Sequence, residues 1–184
     1  LMPLRVDSEK RKENADTSIS FILRHFDATI IVAEGDESKR YYNDFQTDKF
    51  LHCFIHDESV FFHKTKYINR LIELSSTRFI AVWDADVIAP PDQILESVTV
   101  LRQGKAIISI PYDGRVYVCD NSLSDLFRRV PRTELLLKLV PALPLMYGHC
   151  STGGIFIANR EKYLEAGGEN ESILGWGPED FERV

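Results

Sequence analysis

Two clusters of carboxylates carry the chemistry that the sequence offers. The first, Asp84-Ala85-Asp86, closes the apolar run Phe79-Ile80-Ala81-Val82-Trp83. In an open α/β sheet ligands bind beyond the carboxyl ends of the strands, so acids emerging there face the crevice. Oxygen-only ligation with open positions suits Mn2+ or Mg2+, and such an ion between two phosphates neutralises the charge that builds on a departing diphosphate. One acid can hold the ion while the other holds a ribose or sugar hydroxyl. Solvated turn acids would give the same three letters. The second cluster is Gly175-Trp176-Gly177-Pro178-Glu179-Asp180. Glycines on both sides of Trp176 allow tight bends that turn the indole toward a pocket, where its flat face can stack on a sugar ring. Pro178 suits a first helical turn, which puts Glu179 and Asp180 at a helix N-terminus. Either acid can accept a proton from an attacking hydroxyl. The plain alternative is a core tryptophan followed by acids that only complement a helix dipole.

Weaker signals surround these clusters. Ser151-Thr152-Gly153-Gly154 leads into a strand, where glycines permit close approach of backbone to a ligand but also mark ordinary bulges. Arg5, Asp7 and Arg11 follow the first strand, and Glu34 and Asp36 follow the second, where a uracil, ribose or pyrophosphate would lie. Lys64 and Asn69 sit on the helix before the Asp84 strand, and loop charges or helix-surface residues would look the same. The five histidines show no HxH or HExxH spacing, and the three cysteines, Cys53, Cys119 and Cys150, form no CxxC pair. Neither zinc nor a disulfide framework is expected.

The elements that must position these residues alternate in type. Strands are expected over Leu1–Val6, Ala28–Ala33, Leu51–Ile55, Phe79–Trp83, Ala106–Pro111 and Gly154–Ala158, short runs with little charge, as for strands covered on both faces. Asn14–Phe26 gathers Ile19, Ile22, Leu23 and Phe26 on one helical face, and Lys64–Leu74 does so with Tyr67, Ile68, Leu71 and Leu74. Pro90-Pro91 forces a turn after the acid pair, Asp92 is expected to cap a helix Gln93–Arg102, and Gly104 ends it. That turn can bring Asp84 and Asp86 toward a common ligand. Val130–Tyr147, with its prolines, is expected to be an irregular excursion over one face. Alternating strand and helix patterns imply an α/β fold with a mostly parallel central sheet flanked by helices, and residues 1–184 are expected to be one domain.

Composition narrows the partners. A hydrophobic fraction of 44% with 27% charged residues excludes disorder, and a net charge of −6 argues against a nucleic-acid backbone as ligand. No apolar run approaches the roughly 20 residues that span a bilayer, and no export signal is expected. The unpaired cysteines suggest a reducing, cytoplasmic setting, with any membrane attachment supplied by regions outside this chain. The chain is expected to be a fragment that stops soon after the second acid cluster.

Taken in order, Pro3-Leu4-Arg5, Phe62-His63-Lys64-Thr65-Lys66-Tyr67-Ile68-Asn69, Asp84-Ala85-Asp86, Gly153-Gly154 and Gly175-Trp176-Gly177-Pro178-Glu179-Asp180 resemble the GT-A glycosyltransferases. The resemblance is narrower to β-1,4-galactosyltransferases, polypeptide N-acetylgalactosaminyltransferases and related bacterial family-2 enzymes, and it runs nearly end to end. It implies a GT-A fold and transfer of galactose or N-acetylgalactosamine from a UDP-sugar to a saccharide or other hydroxyl acceptor, with inversion. It implies Asp84 and Asp86 as holders of Mn2+ (or Mg2+) and diphosphate, with Asp86 the more direct metal ligand. Pro3, Arg5, Glu34, Lys64, Asn69 and Gly154 are expected on the donor side. Trp176, Gly177 and Glu179 are expected on the acceptor side, with Asp180 as the base. Two departures stand out: Pro178 replaces a glycine of the galactosyltransferases, and their further metal ligand, often histidine, has no counterpart before Val184. The chain as given is therefore expected to bind metal and donor weakly and to turn over poorly.

Three rivals remain. A sugar-phosphate nucleotidylyltransferase should carry a glycine-rich basic loop after the first strand, where this chain has Arg5-Val6-Asp7-Ser8-Glu9. A dehydrogenase should show GxGxxG after a strand, which is lacking. A catalytically inactive nucleotide-sugar-binding domain would share every feature above.

Overall fold

The computed structural model describes residues 1–175 and 179–183. Strands β1 (Met2–Leu4), β2 (Ile30–Asp36) and β3 (Phe50–His56) pair in parallel, and β4 (Phe79–Trp83) and β5 (Ile108–Ser109) flank an antiparallel β6 (Ile155–Asn159). Leu1 donates its amine to the Ala81 carbonyl at 2.7 Å and accepts from the Trp83 amide at 2.9 Å. These bonds lay β1 beside β4 and join the two groups into one sheet of order β3-β2-β1-β4-β6-β5. Strands β1, β2 and β3 pair in parallel and β6 pairs antiparallel with β4 and β5, so the expected α/β class holds.

Pro3 explains why β1 leaves β4 so soon. Alternate residues of a strand direct their amides to opposite neighbours, and Leu1 uses both its polar groups toward β4. Pro3 therefore faces the same way with no N–H to give. Pairing stops there, and β4 is released toward Asp84 as the crevice opens.

Helices cover both faces. On one, α1 (Glu9–His25), α3 (Pro91–Arg102) and α4 (Asn121–Arg129) bury Ile19, Phe21, Ile94, Leu101 and Phe127 against Met2, Val32 and Trp83. On the other, α2 (Lys64–Leu74) and α6 (Arg160–Glu165) bury Ile68, Ile72, Tyr67, Leu71 and Tyr163 against Val82, Phe156, Ile31 and Ala33. The split follows strand alternation: Ile30 and Val32 face one layer, Ile31 and Ala33 the other. Each fully buried aliphatic chain contributes about 1.5–3 kcal/mol.

Four sequence expectations need correction. Helix α1 begins at Glu9 because Ser8 caps it, its Oγ accepting from the Arg11 amide at 3.2 Å, so Arg11 is helical rather than in a loop. Strand β2 runs to Asp36, which puts Glu34 inside the sheet rather than beyond it. Helix α3 starts at Pro91 with Pro90 as its N-cap, and Asp92 lies in its first turn instead of capping it. The excursion contains α5 (Thr133–Leu139) and a 3-10 turn (Val140–Ala142). It is also clamped at its base: Val118 donates to Pro144 O, Met146 to Val116 O and Ser151 to Gly114 O. No helix of the described residues is long and apolar enough to cross a membrane, and the three cysteines are unpaired.

Candidate functional site

The turn after β4 is fixed by its own backbone. The Asp84 amide donates to Gly154 O at 2.8 Å and the Val87 amide to Asp84 O at 3.2 Å. The Trp83 indole donates to Val87 O, and Ser18 Oγ donates to Ala85 O. Ala85 is packed in the core, so the small middle residue of the acid triplet anchors the turn while the acids face outward. They then diverge. Asp84 Oδ2 accepts from Lys64 Nζ at 3.1 Å, whereas Asp86 Oδ2 accepts from Arg11 Nη1 at 3.1 Å. Beside Asp86 lies an open pocket of about 260 Å3 lined by Asp7, Ser8, Lys10, Arg11, Asn14 and Asp86.

Lys64 brings the two acid clusters together. Its Nζ is also 3.4 Å from Glu179 Oε1, on the four-residue helix α7 (Glu179–Glu182). Burial works against the Lys64 charge, but Asp84, Asp180 and Glu179 around it outweigh burial and hold its pKa above the ordinary lysine value. Desolvation raises the pKa of Asp84; Lys64 pulls the other way, and Asp86 and Asp180 add to the rise. Glu179 is buried, and its Oε2 has no hydrogen-bond partner among the described residues. A buried, unpartnered carboxylate oxygen is costly unless a ligand group meets it.

Asp180 is held from several sides. Arg183 Nη1 donates to its Oδ1, and Thr152 Oγ1 donates to its main-chain carbonyl at 2.9 Å. Tyr112, whose hydroxyl donates to Gly153 O, lies beside the same acids. Burial pushes its pKa up to about 12, with Ser151 and Lys64 opposing and Asp180 and Asp84 contributing. Burial, with the fields of Asp180 and Asp84 adding, also raises the pKa of Tyr147 at the end of the excursion.

The remaining expected residues divide. Arg5 donates from Nε to Gly35 O at 2.9 Å and from Nη1 to Ser59 O at 3.1 Å, and lies over the Phe62 ring, lacing the carboxyl ends of β1, β2 and β3 together. Glu34 is fully buried: Oε1 accepts the Arg40 and Tyr41 amides at 2.7 Å, and Oε2 is 2.9 Å from His52 Nε2. It supports a loop and does not join the Lys64 cluster. Asn69 donates to Glu169 O and Glu171 Oε1 and accepts the Glu169 amide, pinning the segment that leads to Gly175. Gly154 has φ +95°, a left-handed backbone that favours glycine. Trp176 and Gly177 lie outside the described residues.

Sequence reasoning passed over Arg183, Glu169 and Tyr112, and also a polar knot after β3. There Asp57 Oδ2 accepts from the Tyr67 hydroxyl at 2.5 Å and sits 2.9 Å from His63 Nδ1, while the Ser59 amide donates to Oδ1. Asp180-x-x-Arg183 has the helical spacing at which such a pair can meet, and Asp57 and Ser59 are two residues apart, but the other partners are distant in sequence.

Among known proteins, no family model matches this chain, and no curated sequence matches it. The residues alone must carry the functional reading.

For a divalent cation, the test is the donor set. Among the described residues no group of three or more His, Cys, Asp or Glu side chains is gathered that could hold a metal ion. Hard cations such as Mg2+ are commonly held by one or two carboxylates with waters and substrate phosphates completing the shell. Asp84 and Asp86 offer only oxygen, which suits such a cation, but in this structure they diverge, Asp84 toward Lys64 and Asp86 toward Arg11. Asp84 in particular is a desolvated carboxylate already paired with a cation, the Lys64 ammonium.

Proposed function

We propose that this chain is the catalytic region of a metal-dependent, inverting glycosyltransferase of GT-A type, moving galactose or N-acetylgalactosamine from a UDP-sugar to an acceptor hydroxyl. The observation that carries the reading is the Lys64 ammonium, 3.1 Å from Asp84 and 3.4 Å from Glu179, which ties acids from distant parts of the chain into one crevice. The sheet order with its antiparallel β6, and the resemblance of the motifs, support the same reading.

Asp84 and Asp86 would hold Mn2+ or Mg2+, which supplies positive charge against the diphosphate as it leaves. Lys64, already charged beside Asp84, adds to that field. Asp180 takes the proton of the acceptor hydroxyl as its oxygen attacks the anomeric carbon from the face opposite the diphosphate. The bond from the anomeric carbon to the diphosphate oxygen breaks, its electron pair leaves with UDP, and the configuration inverts. Glu179, with its unpartnered Oε2, binds an acceptor hydroxyl. The acceptor is a saccharide or another alcohol, and the acidic surface disfavours nucleic acid.

Calorimetry with UDP, with and without Mn2+, tests the donor half. The chain is expected to bind UDP in a metal-dependent way, and Asp86→Ala is expected to weaken that binding about 10–100-fold. Unchanged metal-dependent binding in the variant would remove Asp86 from the metal site. Binding of UDP with no sugar transferred by the full protein would identify a binding domain instead.

A further inference from the structure

We propose that Gly153 and Arg183 are the positioning pair for the Asp180 carboxylate, the glycine by leaving it room and the arginine by holding one of its oxygens. The inference rests on reading Asp180 as the acceptor-side base.

The two adjacent glycines before β6 are needed for different reasons. At Gly154 the left-handed φ is the constraint, since an added Cβ would approach no closer than 3.4 Å to Val87. At Gly153 φ is not positive, so the left-handed constraint does not apply. There the constraint is space: a Cβ would overlap Asp180 Oδ2 and stand 2.8 Å from its Cγ. The carboxylate occupies the volume that every other amino acid would fill.

Arg183 holds the other side, and it is itself fixed independently of Asp180. Its Nε and Nη2 donate to the two oxygens of Glu169 at 2.6 and 2.8 Å, and its guanidinium lies 4.6 Å over the Phe156 ring. Both ionic side chains are almost fully covered, at 8% and 2% exposure. Tyr163 donates its hydroxyl to Glu169 as well, so the fork has no freedom to follow the aspartate. With Nη1 on Oδ1, Asp180 keeps Oδ2 as the oxygen free of the arginine. Phe156 and Gly153 belong to the same short stretch of chain, so one segment supplies both the space and the platform. Neither residue touches a reacting atom; both act through Asp180.

The test uses Gly153→Ala, Arg183→Met and Arg183→Lys in the full protein, with three readouts: crystal structure, UDP affinity by calorimetry, and kcat for sugar transfer. Gly153→Ala is expected to swing the Asp180 carboxylate away and to lower kcat about 100-fold, the scale of an ångström-sized misplacement, with UDP affinity within twofold of the parent. Arg183→Met should lower kcat in the same way, and Arg183→Lys should recover part of it, because an ammonium can hold one of the two acids but not both. An Asp180 carboxylate that stays in place in Gly153→Ala, or a kcat unchanged in Gly153→Ala and Arg183→Met, overturns the assignment. If the parent protein transfers no sugar while the carboxylate still moves in Gly153→Ala, the transferase reading falls and the positioning stands.

Discussion

Glu34 and Asp84 look alike in the sequence, each an acid at the carboxyl end of an apolar run, yet the fold uses them in opposite ways. Glu34 lies within β2, in register with Leu4 and Phe54, and its oxygens face two loop amides and a histidine. Asp84 lies one residue past β4, where its side chain meets the end of a long lysine. A carboxylate inside the sheet must be matched by the protein itself. One just beyond the sheet can be matched by a cation that exchanges with ligand, and that is what makes it available for chemistry.

Breaking the two acids should separate them. Glu34→Ala leaves the Arg40 and Tyr41 amides without their acceptor in the interior and is expected to cost about 3 kcal/mol, read as a lower urea midpoint. Asp84→Ala is expected to change the midpoint little, because it relieves a desolvated carboxylate, while metal-dependent UDP binding falls at least tenfold. Equal losses of stability in the two variants would erase the distinction.

The Asp57 knot sharpens it. Burial opposes the charge of Asp57, but hydrogen bonds from Tyr67, the Ser59 amide and His63 hold its pKa below the usual carboxylate range. Because the folded-state value is the lower one, the stabilisation is present above the unfolded value of about 4 and is lost as pH falls toward the folded value. Asp57→Asn is therefore expected to be about 2 kcal/mol less stable at pH 7, with the gap narrowing in urea titrations below about pH 4. A gap that widens on acidification would contradict the assignment. The smallest effect expected is at the α1 cap, where Ser8→Ala should lower stability by about 1 kcal/mol, read as a small fall in the urea midpoint.

Much of the frame was legible because strand alternation and helical spacing are local. Lys64–Leu74 and Phe79–Trp83 fall where their apolar residues place them. Boundaries were less legible. Ser8 starts α1 before any apolar periodicity appears, and Glu34 stays in β2 because partners distant in sequence satisfy it. The acids of the site were legible by type, but the cation that gathers them was not, since nothing local to Lys64 reports that Glu179 will stand opposite Asp84. The same limit hid Arg183, whose second partner, Glu169, is fourteen residues away.

Strand β6 alone runs against its neighbours, so it is its beginning rather than its end that borders the crevice. Chain leaving β5 and chain returning to β6 consequently arrive at the same rim, with the whole excursion from Tyr112 to Ser151 looped between them. That insert hangs from a single rim and adds no strand to the sheet, so its length is set apart from the strand register that holds Asp84 in place.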